Sequence, residues 1–206
     1  MNTLIIFLLL LLPSLNQAVA LMVGSFFIGL ILRLVVEIGL PWYYLRKMKR
    51  LLISLFRPVP IKDCIIWCLL TAGVVSAVLI AITHLIDVDN IITNLSGLYE
   101  VTVFVYLFVA LSIGLINPFL EEIFWRGFLY GQTKVMWTGA FFGLHHIIIF
   151  YTWVPLSLVI LGFILLGVVG VLFNYLYKKY DSLVIPLCMH IVADIVIVIY
   201  GYFLLF

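Results

Sequence analysis

Apolar residues run almost without interruption over residues 3–45, 64–86, 100–133, 137–151, 153–177 and 183–206, and the polar residues gather between those runs. The separators are Arg46-Lys47-Met48-Lys49-Arg50 with Arg57-Pro58-Val59-Pro60, then Asp87 to Gly97, Trp153-Val154-Pro155, and Lys178-Lys179-Tyr180-Asp181. A run of about 20 apolar residues matches the thickness of a bilayer, where backbone groups must hydrogen-bond within their own segment. Each run is therefore expected to be helical, and no sheet is expected. The first run, 43 residues long, is too long for one span and barely long enough for two. Leu4 to Leu12 followed by Ala18-Val19-Ala20 has the shape of a signal peptide, yet Met1-Asn2-Thr3 carries no basic residue, and we read the segment as retained. The pattern predicts an all-α, polytopic membrane helix bundle of six to seven transmembrane helices. It reads as a single membrane domain, residues 1–206, with N-terminal spans and a basic loop in 1–60 and the helix core in 61–206; no internal repeat is visible.

Composition sharpens this reading by exclusion. The chain is 67% apolar and only 10% charged, with a mean hydropathy of +1.34. Soluble domains run about 45–50% apolar and about 25% charged, so a water-soluble enzyme, a nucleic-acid binder and a disulfide-stapled secreted module are all excluded. Eleven Lys and Arg against nine Asp and Glu leave a formal charge of +2, too small and scattered for a polyanionic partner. Three cysteines, Cys64, Cys68 and Cys188, make no even disulfide framework and read as packing thiols.

The positions of the cations orient the chain. Arg46, Lys47, Lys49, Arg50, Arg57 and Lys62 share one connection and Lys178 and Lys179 another, and the positive-inside rule places both in the cytoplasm. The Asp87 to Glu100 connection has no Lys or Arg and falls outside; the Asn94-Leu95-Ser96 sequon within it is short enough to arise by chance. The expected location is the plasma membrane. The basic connection is suited to anionic lipid headgroups, at about 1 kcal/mol per cation near the surface.

Ionisable groups inside the apolar runs carry the functional signal, because charges near the bilayer centre are costly and usually line a cavity or pair. Residues four apart on a helix share a face, whereas adjacent residues diverge by about 100°. Glu122 and Arg126 are expected to pair, as are His190 and Asp194, and Phe142 shares a face with His146. Glu121, turned away from Glu122, stays available for chemistry. Arg33 and Glu37 read as a structural pair, a stabilised polar notch. His145, rotated away from His146, reads as a residue behind the site or at its lipid edge. Turning the polar faces toward one wet cavity would lower their joint cost. Two Glu, one or both of His145 and His146, His190 and Asp194 suit activation of water against a carbonyl, or the holding of one divalent metal such as zinc. No Ser or Cys stands beside them as a nucleophile, which favours direct attack by water.

At these residues the sequence resembles the CPBP family, the CAAX-protease and bacteriocin-processing membrane proteins also called the Abi family. Its Glu-Glu-x-x-x-Arg signature reads Glu121-Glu122-Ile123-Phe124-Trp125-Arg126, followed by Gly127; Phe-x-x-x-His reads Phe142 to His146; and His-x-x-x-Asn or Asp reads His190 to Asp194, after Pro186. The resemblance covers about residues 60–206, and the order of the three motifs makes it specific. It implies an intramembrane endopeptidase with its site toward the cytoplasmic side. In that picture Glu121, helped by His146, activates water, Glu122 and Arg126 support the site, and His190 with its i+4 partner forms the oxyanion pocket. Asp194 departs from the Asn form: an ionised Asp only accepts hydrogen bonds. It is either protonated, or orients His190, or helps hold a metal. Whether the mechanism is metal-free or uses a divalent ion bound by Glu121, His146, His190 and Asp194 stays open.

The leading expectation is therefore hydrolysis of a peptide bond in a peptide or membrane-protein substrate, with membrane lipids as neighbours and no nucleic acid. A non-catalytic bacteriocin-immunity or scaffolding protein of the same fold is the alternative. A proton-coupled transporter comes third, because no repeated half with matching broken helices is seen.

Overall fold

A computed structural model describes residues 3–23, 26–44, 57–86, 103–150 and 154–206. The basic cluster Arg46–Arg50, the 87–100 connection and the Asn94 sequon lie outside the described residues. Among the described residues the chain is helical with no strand. In chain order the helices are α1 (Thr3–Val23), α2 (Phe26–Arg33), α3 (Leu40–Tyr44), α4 (Ile61–Thr83), α5 (Val103–Leu111), α6 (Asn117–Glu122), α7 (Val135–Phe150), α8 (Leu156–Tyr180) and α9 (Val184–Leu205). The stretches Ile61–Thr83, Tyr106–Phe128, Leu156–Tyr180 and Val184–Leu205 are long and apolar enough to cross a membrane, and Thr3–Val19 and Val135–Ile148 are shorter apolar helices.

Three wide turns interrupt the regular helix at Leu34–Gly39, Ser112–Ile116 and Ile123–Phe128. The hydrogen bonds that close them span five residues: Leu40 N–H donates to Val35 O, Asn117 N–H to Ser112 O, and Leu129 N–H to Phe124 O. Each such π turn carries an extra residue, which re-aims the side chains on either side of it. Glu37 lies inside the first and Arg126 inside the third.

The helices fall into two compact units. The first joins residues 1–58 to 120–183. Its core packs Leu9, Leu10, Val36, Phe124, Trp125, Phe128, Leu129, Phe141 and Phe142, and the Phe7 ring meets the edge of Phe141 at 5.6 Å. The closest helix pair is α7 with α8, and its intimacy follows from glycine. A Cβ on Gly143 would stand 2.6 Å from the carbonyl oxygen of Phe163 and 2.9 Å from the nitrogen of Gly167. Only bare backbone lets the two axes approach so far, the usual route to tight helix packing where lipid offers no hydrophobic drive. Asn174 adds a cross-helix hydrogen bond, Nδ2 donating to Thr138 Oγ1 at 2.6 Å. Between the third π turn and α7 the chain reverses at Leu129–Gln132, where Gly131 takes a positive φ of 81°. At its far end α8 stops on Asp181 in the left-handed region, with Arg57 paired to that carboxylate.

The second unit joins residues 59–119 to 184–206, with α4 and the second π turn packed on α9. Tyr106 donates its hydroxyl to the carbonyl of Val198, and Tyr200 donates to Thr83 Oγ1 at 3.0 Å. The three cysteines are free thiols; Cys68 and Cys188 each lie in hydrogen-bond contact with Cys64 where α4 meets α9.

Candidate active site

In the first unit α6 ends on adjacent carboxylates that take different partners. Arg126 Nη1 donates to Glu122 Oε1 at 3.0 Å, Nη2 donates to the carbonyl of Gly170 at 3.2 Å, and the guanidinium lies 4.6 Å from the Phe142 ring centroid and 5.1 Å from that of Phe173. Cation, carboxylate and aromatic faces form a buried block in which the guanidinium is paired with the carboxylate and flanked by the rings. This block holds α6 and α8 to the Phe142 face of α7.

Glu121 is oriented the other way. Its Oε1 accepts from Nη2 of Arg33 and lies 3.2 Å from Nε2 of His145, while Oε2 lies 3.5 Å from Nε2 of His146. Arg33 is held in turn by Glu37, to which its Nε donates at 3.1 Å, and its Nη2 lies 3.0 Å from His145 Nε2. Glu121 and His145 are 1% and 2% exposed, whereas the His146 side chain is 21% exposed. The His146 side is therefore the open edge of the cluster.

The proton positions follow from the partners. A carbonyl oxygen can only accept, so the 2.8 Å contact between His146 Nδ1 and Phe142 O requires the proton on Nδ1. In the neutral ring His146 then points the Nε2 lone pair at Glu121; in the imidazolium form it points an N–H there. His145 Nε2 lies between a donor, Arg33 Nη2, and an acceptor, Glu121 Oε1, so its Nδ1–H tautomer accepts from Arg33 and its Nε2–H tautomer donates to Glu121. One carboxylate and two imidazole rings therefore converge, their nearest ligand atoms all within 4.8 Å of one another. By number and type these donors fit a divalent ion such as zinc. The Arg33 guanidinium already bonds two of the three.

His190 and Asp194 belong to the second unit, both buried on α9. His190 Nε2 lies 3.9 Å from Asp194 Oδ2, and Asn117 Nδ2 donates to the same oxygen at 3.5 Å. Asp194 is thus an acceptor, with Asn117 supplying the amide.

Four residues enter this picture that spacing alone passed over. Arg33 and Glu37 form the expected i, i+4 pair, but Arg33 also bonds Glu121, 88 positions away; a charged pair inside an apolar run was the signal. His145 is not at the lipid edge but buried against Glu121. Adjacent positions on α7 do diverge, yet the two rings lie 5.2 Å apart and a carboxylate offers two oxygens, one to each. Asn117 opens the first motif stretch and was given no role.

A family model described as Rce1-like, type II CAAX prenyl endopeptidase, matches residues 102–196. No curated protein and no solved structure matches the chain. The long apolar helices and the family match together make this an integral membrane protein, and the family is one of proteases. Residues 102–196, which contain all three signatures from Glu121 to Asp194, match the Rce1-like family model, and that family is part of the CPBP, or Abi, group of membrane proteins.

Proposed function

We propose that the protein is an intramembrane endopeptidase in which Glu121 is the general base that activates water. The observation that supports this most is the buried Glu121 carboxylate, flanked by Nε2 of His145 and of His146 and reached from the half-open His146 edge. Glu121 takes a proton from water as the oxygen bonds to the scissile carbonyl carbon, and the carbonyl π pair moves onto oxygen as an oxyanion. Collapse of that intermediate reforms the carbonyl and breaks the C–N bond, while the proton on Glu121 passes to the departing amine. His146 shares the proton load through Nε2. The family resemblance gives His190 an oxyanion-donor role, and Asp194 lies beside its ring. Glu122 and Arg126 hold the frame and stay out of proton transfer.

Where a divalent ion binds, Glu121, His145 and His146 would hold it, and it would acidify water and polarise the carbonyl.

The family description points to C-terminal peptides with a prenylated cysteine, which we propose as the first substrate class to test. Lys178 and Lys179 at the end of α8, with Arg57 and Lys62 before and within the first turn of α4, support a cytoplasmic placement of those helix ends. We place the protein in the plasma membrane.

The test is cleavage of prenylated and unprenylated peptides by protein reconstituted in liposomes, followed by mass spectrometry. Glu121→Gln and His146→Ala should each lower cleavage by at least ~100-fold. Cleavage unchanged in both variants would defeat the peptidase reading. A cellular phenotype that survives Glu121→Gln while cleavage is lost would move the biology to the immunity or scaffolding alternative.

A further inference from the structure

The family match ends on its N-terminal side at residue 102, yet two of the groups gathered at Glu121 come from residues 26–44. Arg33 closes α2, and Glu37, fully buried, stands in the π turn that follows. The turn places Glu37 so that its Oε1 accepts from Arg33 Nε, which fixes the plane of the guanidinium. With Nε committed, Nη2 is directed at Glu121 Oε1 and at His145 Nε2 together, the latter an acceptor in the Nδ1–H tautomer. That forked, planar donor geometry is peculiar to arginine. It spends one Glu121 oxygen on a fixed cation and leaves the other, Oε2, facing His146.

The same contact has a second consequence. A divalent ion bound by Glu121, His145 and His146 would need the Glu121 carboxylate and the His145 lone pair that Arg33 occupies, and it would sit against a fixed positive charge. Guanidinium and metal are rivals for one set of donors.

We infer that Arg33, braced by Glu37, is a positioning residue of this site: it aims Glu121 at the His146 edge and stands in the place of a divalent cation, so that removing its charge converts Glu121, His145 and His146 into a metal site. The aiming half rests on the peptidase reading; the rivalry with metal does not.

The experiment titrates Zn²⁺ into the full-length chain in detergent micelles and measures stoichiometry and affinity by calorimetry, alongside peptide cleavage and thermal unfolding. Arg33→Gln should bind one Zn²⁺ per chain at least ~10-fold more tightly than the wild type, and Arg33→Gln combined with His145→Ala should lose that gain. Arg33→Lys, which keeps the charge but cannot fork, should keep zinc affinity near the wild-type value. It also guards against a Gln variant that fails to fold. In cleavage, Arg33→Gln should lower kcat at nearly constant KM, and Arg33→Lys should recover part of the loss. Equal zinc affinity in folded wild type and Arg33→Gln would overturn the inference, and so would tighter zinc binding in Arg33→Lys equal to that of the Gln variant. If no variant cleaves any peptide, the peptidase reading falls while the zinc titration still decides the rivalry.

Discussion

His146 donates its Nδ1 proton to the carbonyl oxygen of Phe142, 2.8 Å away and one turn back on α7. The bond selects the tautomer and thereby turns Nε2 toward Glu121 Oε2, 3.5 Å distant. The Phe-x-x-x-His spacing has a physical meaning in this light: the residue four before the histidine supplies the carbonyl that sets the ring.

His146→Ala should abolish cleavage and leave the fold intact. The ring is partly exposed and its Nδ1 bonds a backbone carbonyl of its own helix, so its loss should shift unfolding by less than about 1 kcal/mol. Removal of a group engaged in proton transfer lowers rate by about 10²–10⁴-fold. Thermal unfolding in detergent and peptide turnover measured on one preparation separate the two effects.

Glu122 and Glu121 should respond oppositely to neutralisation. Glu122 pairs with the buried Arg126 guanidinium, so Glu122→Leu strands a buried cation. Breaking a buried pair by removing one partner costs about 3–5 kcal/mol. Glu121→Gln keeps the shape and a carbonyl acceptor for Arg33, and should unfold within about 1–2 kcal/mol of wild type while losing activity. Chemical denaturation of both variants tests the division; a Glu121→Gln variant as unstable as Glu122→Leu would contradict it.

The contact between α7 and α8 should tolerate no side chain at Gly143. A Cβ there meets Phe163 O at 2.6 Å and Gly167 N at 2.9 Å, and both are backbone atoms that cannot rotate aside. Overpacking of this kind costs about 1–3 kcal/mol or more, and here it also displaces His145 and His146 on the same helix. Gly143→Ala should therefore lower melting temperature and turnover together. Gly73→Ala is the control, since nothing lies within 4 Å of its added methyl.

Helical spacing made part of this site legible. The 100° rule separates Glu121 from Glu122 and joins Glu122 to Arg126, and both relations are local to one turn. It is silent about Arg33, because nothing in a periodicity says which distant helix supplies the next partner; only the burial of a charged pair in an apolar run hinted at a use for it. The π turns were also invisible. An inserted residue leaves no composition signal, yet Leu34–Gly39 is what sets Glu37 beneath Arg33. Of the two places expected for His145, behind the site or at its lipid edge, the second fails for a related reason: azimuth describes where a side chain leaves the helix, and Glu121 meets both rings because its two oxygens span the gap between them.

Asp194 offers the last test, because its partner is now identified. Asn117 Nδ2 donates to Asp194 Oδ2 at 3.5 Å, so the amide stands on α6 in this chain, with the acceptor on α9. Asn117→Asp should set two carboxylates against each other and destabilise the protein by about 1–3 kcal/mol through a lost donor and like-charge repulsion. Adding Asp194→Asn to that variant restores one amide and one carboxylate in exchanged positions and should recover most of the stability. A double-mutant cycle read by thermal unfolding measures the coupling. Additive losses, with no recovery in the exchanged pair, would mean that the contact between Asn117 and Asp194 contributes nothing to holding α6 against α9.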